Sequence, residues 1–143
     1  MTDRHVRVSA RGVVRRGEEL LVARDRDPVT GESFCYLLGG GANFGEHTEE
    51  ALHREFDEEL GVALENVSSL ETYEDVFTSG GETEHEVWRV YEADIAEAWP
   101  YEQSEFEGYE PEHDEVIECV WKSPSSFRDG GETLYPEPVV SDL

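Results

Sequence analysis

Gly40-Gly41-Ala42-Asn43-Phe44-Gly45-Glu46, running on through Arg54-Glu55-Phe56-Asp57-Glu58-Glu59-Leu60-Gly61-Val62, decides how this chain is read. Thr48 is a candidate N-cap, Glu49 and Glu50 suit a first helical turn, and Gly61 sits where a glycine ends a helix. The spacing therefore predicts a helix over 49–60. With about 100° between successive residues, Glu55, Glu58 and Glu59 stand at i, i+3 and i+4 and share one face. Leu52, Phe56 and Leu60 form an adjoining apolar stripe that would face a core. Carboxylates this close repel one another, and a cation relieves the repulsion. Hard oxygen donors on a rigid helix suit Mg²⁺ or Mn²⁺, which bridge carboxylates to a substrate's phosphates. Gly39, Gly40 and Gly41 let the preceding backbone bend and approach a ligand closely.

In order, the fixed positions are Gly40, Glu46, Arg54, Glu55, an apolar Phe56, Glu58, Glu59, Gly61 and an apolar Val62. At this spacing the stretch resembles the Nudix box. The resemblance is strongest over 37–62 and extends to most of the remainder in strand pattern only. Leu38 stands where a proline is common, and Phe56 is bulky for its slot, but neither is a metal-ligand position. The resemblance implies an α/β fold, a Nudix-type α/β/α sandwich with a mixed sheet, in which the box forms a loop, a helix and a loop. It implies a MutT-like pyrophosphohydrolase acting on a nucleoside diphosphate linked to another group: a nucleoside triphosphate, ADP-ribose or a nucleotide sugar.

The same resemblance implies that Glu55, Glu58 and Glu59 hold the Mg²⁺ or Mn²⁺ ion, with the Gly40 carbonyl as a further ligand. Arg54 offers a cationic fork for a carboxylate or a phosphate, and Glu46 supports the arrangement. Relatives resembling the oxidised-nucleotide pyrophosphatases carry another Glu in the loop before a late strand that ends near a Trp. Aligning on Trp121 selects Glu115, with Asp114 and Glu112 beside it. Glu58 and Glu115 are thus the two candidates for the general base, and Glu115 is preferred, as base or auxiliary metal ligand. A Nudix-fold module that senses a nucleotide without cleaving it is the alternative, and the intact carboxylates argue against it. The proline of ADP-ribose pyrophosphatases would fall near Thr78, and the tyrosine of diadenosine polyphosphate hydrolases near Ser79 or Gly80. Neither is present.

Working outward, 143 residues are expected to form one domain over 1–143. Asp and Glu number 35 against 11 Lys and Arg, for a net charge of −24, which disfavours sequence-independent binding to nucleic acid. The acidic run 102–115 lacks EF-hand spacing. Such a charge fits a surface adapted to high salt, where cations screen self-repulsion, so a halophilic source is expected. No apolar stretch is long enough to span a membrane, and Met1-Thr2-Asp3-Arg4, with no basic-then-apolar run, is not expected to open a leader. Cys35 and Cys119, far apart and without ligand spacing, are expected as buried reduced thiols in a cytoplasmic protein. The expected partner is a small nucleoside diphosphate derivative, and a homodimer stays open.

Alternating patterns predict strands over 6–14, from 20, over 33–38 and over 116–121, with a hairpin pairing 70–77 and 84–93. Residues 99–115 read as an acidic loop, 123–127 as the opening of a short helix, and the tail from Gly130 as loop-like. His47, His53, His85 and His113 show no metal-ligand pairing and are expected at the surface. Trp88, Tyr91, Trp99, Tyr101, Phe106 and Tyr109 are expected in the core.

Overall fold

Strands carry most of the chain, and one long helix interrupts them. A computed structural model describes residues 4–143, Ser79 by its backbone only. The leader reading at Met1-Thr2-Asp3 lies outside the described residues. In chain order come β1 (Arg7–Val13), β2 (Arg15–Arg16), β3 (Glu19–Arg26), β4 (Ser33–Tyr36), β5 (Leu38–Gly41), α1 (Thr48–Leu60), β6 (Leu64–Ser79) and β7 (Glu82–Ile95). A 3-10 turn at Trp99–Glu102 leads to β8 (Glu105–Glu110), β9 (Glu115–Lys122), α2 (Ser125–Arg128), β10 (Leu134–Tyr135) and a last 3-10 turn at Glu137–Asp142.

The strands form two sheets. One runs β5-β1-β7-β6, with β1 and β7 parallel and the other pairs antiparallel. The other runs β10-β4-β3-β9-β8, with β2 beside β3. On one side Ala51, Leu52 and Phe56 of α1 are buried against residues of both sheets, among them Ala10, Leu38, Tyr91 and Cys119. On the other, Phe127 of α2 and Val139 of the last turn are buried against Val13, Val22, Leu37 and Trp88. The sheets therefore lie between helical layers, the α/β/α sandwich expected from the sequence. Phe56 is 1% exposed, and its ring occupies the space of the missing Gly12 side chain, 3.0 Å from where that Cβ would stand. No described helix is long and apolar enough to cross a membrane.

Several sequence readings change. The helix cap is His47 rather than Thr48: Glu50 accepts a hydrogen bond from the His47 N–H at 3.0 Å, while the Thr48 hydroxyl pairs with the Tyr91 hydroxyl at 2.6 Å. The single strand expected over 33–38 is two, because the chain leaves one sheet at Tyr36 and enters the other at Leu38. The glycines are themselves β5, with Gly39 at φ +139° against β1. The acidic loop of 99–115 contains β8, whose Glu105 and Glu107 are exposed while Phe106 is buried. The tail from Gly130 is ordered, with Leu134 pairing with Cys35 in register and 1% exposed.

Candidate functional site

Helix α1 delivers its carboxylates to two different environments. Glu55 and Glu59 are 7% and 8% exposed and lie beside Glu110, the last residue of β8. One carboxylate oxygen from each of the three falls within 4.8 Å of the others. Two glycines make the convergence feasible. A Cβ on Gly40 would stand 2.5 Å from the Glu55 carboxyl carbon, so that carboxylate fills the space over β5. A Cβ on Gly108 would stand 2.6 Å from Leu60 Cδ2 and 2.8 Å from the Glu59 carbonyl oxygen. Lacking it, β8 packs against the end of α1, and Glu110, two residues on and on the same face, reaches Glu59.

The electrostatics of the group are those of an uncompensated cluster. Burial, a hydrogen bond to Glu110 and the charge of Glu55 push the Glu59 carboxyl up to about 9. Burial raises Glu55 as well, against the pull of Arg54. Three oxygens of like kind on a rigid frame, one held protonated because burial and acidic neighbours outweigh the pull of Arg11, match the donor set of a hard divalent cation. The residues present fit Mg²⁺ or Mn²⁺.

Arg54 organises this end of the fold. Its Nε and Nη2 grip Glu46 at 2.8 and 3.0 Å, Nη2 also donates to the Gly41 carbonyl at 3.0 Å, and Nη1 reaches Glu55 at 2.9 Å and Glu58 at 3.2 Å. A guanidinium has five N–H donors, and these five bonds occupy them all. Arg54 thus ties the loop to the helix and leaves no donor for a phosphate. The same bonds hold the Arg54 pKa above its ordinary value, and hydrogen bonds from Arg54 and Asn43 hold Glu46 below its own.

The carboxylates open into a cleft of about 1640 Å³ between the two sheets. Arg7, Arg11, Arg24 and Arg26 line it, in a chain with 11 Lys and Arg in all. Arg7 lies over Gly41, its Nε 3.2 Å from where a Cβ would stand.

A family model described as the NUDIX domain matches residues 3–140. The chain belongs to this family and is a Nudix-type hydrolase. The crystal structure of the MutT NUDIX hydrolase from Burkholderia pseudomallei is similar at 26% identity, with a TM-score of 0.67 over 97% of this chain and 98% of that one. A NUDIX hydrolase from Nitrosomonas europaea shares the fold at 15% identity and a TM-score of 0.65, over 96% and 87% of the two chains. The MutT protein from Bacillus halodurans does so at 16% and 0.61, over 94% and 80%. No curated protein matches in sequence.

Within this Nudix frame the predicted residues separate. Glu55, Glu59 and Gly40 come together. Glu58 is turned outward, with its side chain 37% exposed, and pairs with Arg54. Glu115 is exposed, lines the cleft and stands across the β8–β9 hairpin as the register partner of Glu110. Aligning on Trp121 finds the late strand, but the residue brought to the helix carboxylates ends the strand before it. Glu110 was legible only through the alternation Phe106-x-Gly108-x-Glu110, which the surrounding acids obscure. His85 and His53 pair with Glu74 and Glu49 outside the carboxylate group. Cys35 and Cys119 are buried thiols, and burial lifts Cys119 to about 12.

Proposed function

We propose that this hydrolase cleaves a pyrophosphate bond in a nucleoside diphosphate linked to another group, using Mg²⁺ or Mn²⁺ held by Glu55, Glu59 and Glu110. The observation that carries the reading is the convergence of buried Glu55 and Glu59 with half-buried Glu110, beside a glycine whose missing side chain makes room for one of them. A divalent ion bound there would offset the negative charge of the phosphates and acidify a water.

The chain's own groups supply the remainder. Arg54 positions Glu55, Glu58 and the Gly41 carbonyl, and so acts through them rather than on the substrate. Gly40 and Gly41 present bare backbone to the site, and the Gly40 carbonyl is the candidate further ligand. The cleft arginines favour a polyanionic substrate in a chain that otherwise repels one. Glu115, exposed at the cleft, is the candidate to take the proton of an attacking water, while Glu58 is engaged by Arg54.

Incubation with nucleoside triphosphates, ADP-ribose and nucleotide sugars, with Mg²⁺ or EDTA, tests the reading. The expected outcome is a nucleoside monophosphate product that forms only with the metal. Binding without any product in the whole panel would contradict it.

A further inference from the structure

Away from the three carboxylates, the cleft is lined by a carboxylate that hydrolysis leaves without a task. Glu86 on β7 is 7% exposed. Its Oε2 accepts a hydrogen bond from Ser9 Oγ at 2.8 Å and lies 3.7 Å from Arg11 Nη2. Arg11 is itself fixed, donating through Nε to Ser9 Oγ at 3.3 Å and through Nη1 to the Leu37 and Gly39 carbonyls at 3.1 and 3.4 Å. One edge of the carboxylate is therefore pinned. Among the described residues Oε1 takes no hydrogen bond, and none of their buried side-chain polar atoms lacks a partner. Oε1 is consequently open to the cleft that Glu86 lines.

Arg11 offsets the charge of Glu86, so the site does not call for a second cation. What Oε1 lacks is a donor, because a carboxylate only accepts. Trp88, two residues on, shares its face of β7. It stacks on Phe77 with centroids 6.0 Å apart, and Phe77 on Tyr135 at 6.2 Å. Phe77, Trp88 and Tyr135 all line the cleft, so an aromatic ring bound there lies against apolar rings beside Glu86.

The carboxylate group and Glu86 line the same cleft. Glu55 abuts Gly40, Gly41 pairs with Ser9 in register, and Ser9 bonds Glu86. Gly40 and Gly41 point to opposite faces of the sheet, so Glu55 and Glu86 stand on opposite faces beside its β5 edge and meet through the cleft that both line.

We propose that Glu86 Oε1 determines base specificity, selecting bases that carry a ring N–H on the pairing edge (guanine, hypoxanthine, uracil) over those with a bare ring nitrogen there (adenine, cytosine). The inference rests on the nucleotide reading above and adds the residue and the class of base. Adenine and cytosine offer the one free oxygen only an exocyclic amino hydrogen, beside a bare ring nitrogen whose lone pair opposes it, whereas the ring N–H of the others points straight at it. Ser9 and Arg11 are positioning residues for that oxygen.

Calorimetric titration of the intact protein with GMP, IMP, UMP, AMP, CMP and dGMP tests this without requiring turnover, and hydrolysis of the triphosphates is assayed alongside. The N–H bases should bind at least about tenfold more tightly. Glu86→Gln should erase or reverse that preference, since its amide offers an N–H to a bare nitrogen. Ser9→Ala, which keeps the carboxylate but frees its orientation, should shrink the preference a few-fold. Equal binding of GMP and AMP, or a preference unchanged in Glu86→Gln, overturns the proposal. So does a GMP/dGMP difference larger than the GMP/AMP difference, because the donor would then be the ribose. If nothing is hydrolysed while the preference persists, the hydrolytic reading fails and the role of Glu86 stands. If no monophosphate binds, the role of Glu86 fails whatever is hydrolysed.

Discussion

The cleft holds two buried acidic sites that solve the same problem differently. At the α1 end Glu55, Glu59 and Glu110 meet with Arg54 bonded to just Glu55 of the three, while the charge of Arg11 acts on Glu59 without a hydrogen bond and is outweighed by burial. On β7 a single carboxylate, Glu86, has both a hydroxyl and a guanidinium at its own oxygen. A buried carboxylate without compensation keeps its proton or waits for a cation, whereas a compensated one can stay charged and read a neutral donor. Burial alone thus does not mark a metal site. The number of carboxylates set against the positive groups facing them does.

The sharpest way to break the comparison is to remove the uncompensated charge. Glu59→Gln or Glu55→Gln should lower turnover about 1,000-fold at saturating Mg²⁺, the scale of several kcal/mol of charge stabilisation. Near-normal turnover in steady-state assays would mean that these carboxylates hold nothing essential. Arg54→Lys comes next. It loses the fork that joins Glu46, the Gly41 carbonyl and Glu55, and activity or metal affinity should fall about 10- to 100-fold. The chain should still fold, as circular dichroism would report.

Acidity tests the cluster without substrate. Folded Glu59 holds its proton up to about 9, well above the ordinary carboxylate value near 4.5. The folded state thus binds a proton that the unfolded chain has released, and the resulting stability is fully present below about 4.5 and lost as pH rises through 9. In EDTA the melting temperature should fall between pH 5 and 8, and Glu59→Gln or added Mg²⁺ should flatten that slope. A slope unchanged by both would place its origin elsewhere on the surface.

The smallest effect per residue concerns the remaining described acids, most of which face solvent. At −24 net charge, the melting temperature should rise from low to molar KCl as screening relieves self-repulsion. A flat response would remove the salt-adaptation reading.

How legible each region was follows from how local its signals are. The helix, its glycine cap and the pairing of Glu55 with Glu59 are one stretch of chain, so periodicity displays them. Gly61 indeed adopts φ 68° and closes the helix on the Asp57 carbonyl at 2.8 Å. Glu110 depends on a strand whose every other residue is acidic or polar, docked through a glycine onto a helix some 50 residues earlier, a tertiary fact with a faint local trace. Glu86 looks like any acid in a polar hairpin until β1 lies parallel beside β7 and brings Ser9 and Arg11 to it. The outward turn of Glu58 was equally hidden. Helical spacing gave it the same face as Glu55 and Glu59, but β8 covers one flank of that face and Arg54 draws Glu58 to the other.

The assignment of Glu110 in place of Glu115 to the carboxylate group is the claim most directly open to measurement. Titrating Mn²⁺ into the wild type, Glu110→Gln and Glu115→Gln, with binding followed by electron paramagnetic resonance, separates the two. Glu110→Gln should weaken binding at least about tenfold, as loss of one charged ligand from three implies, and Glu115→Gln should bind as the wild type does. Wild-type affinity in Glu110→Gln with weakened binding in Glu115→Gln would contradict the account.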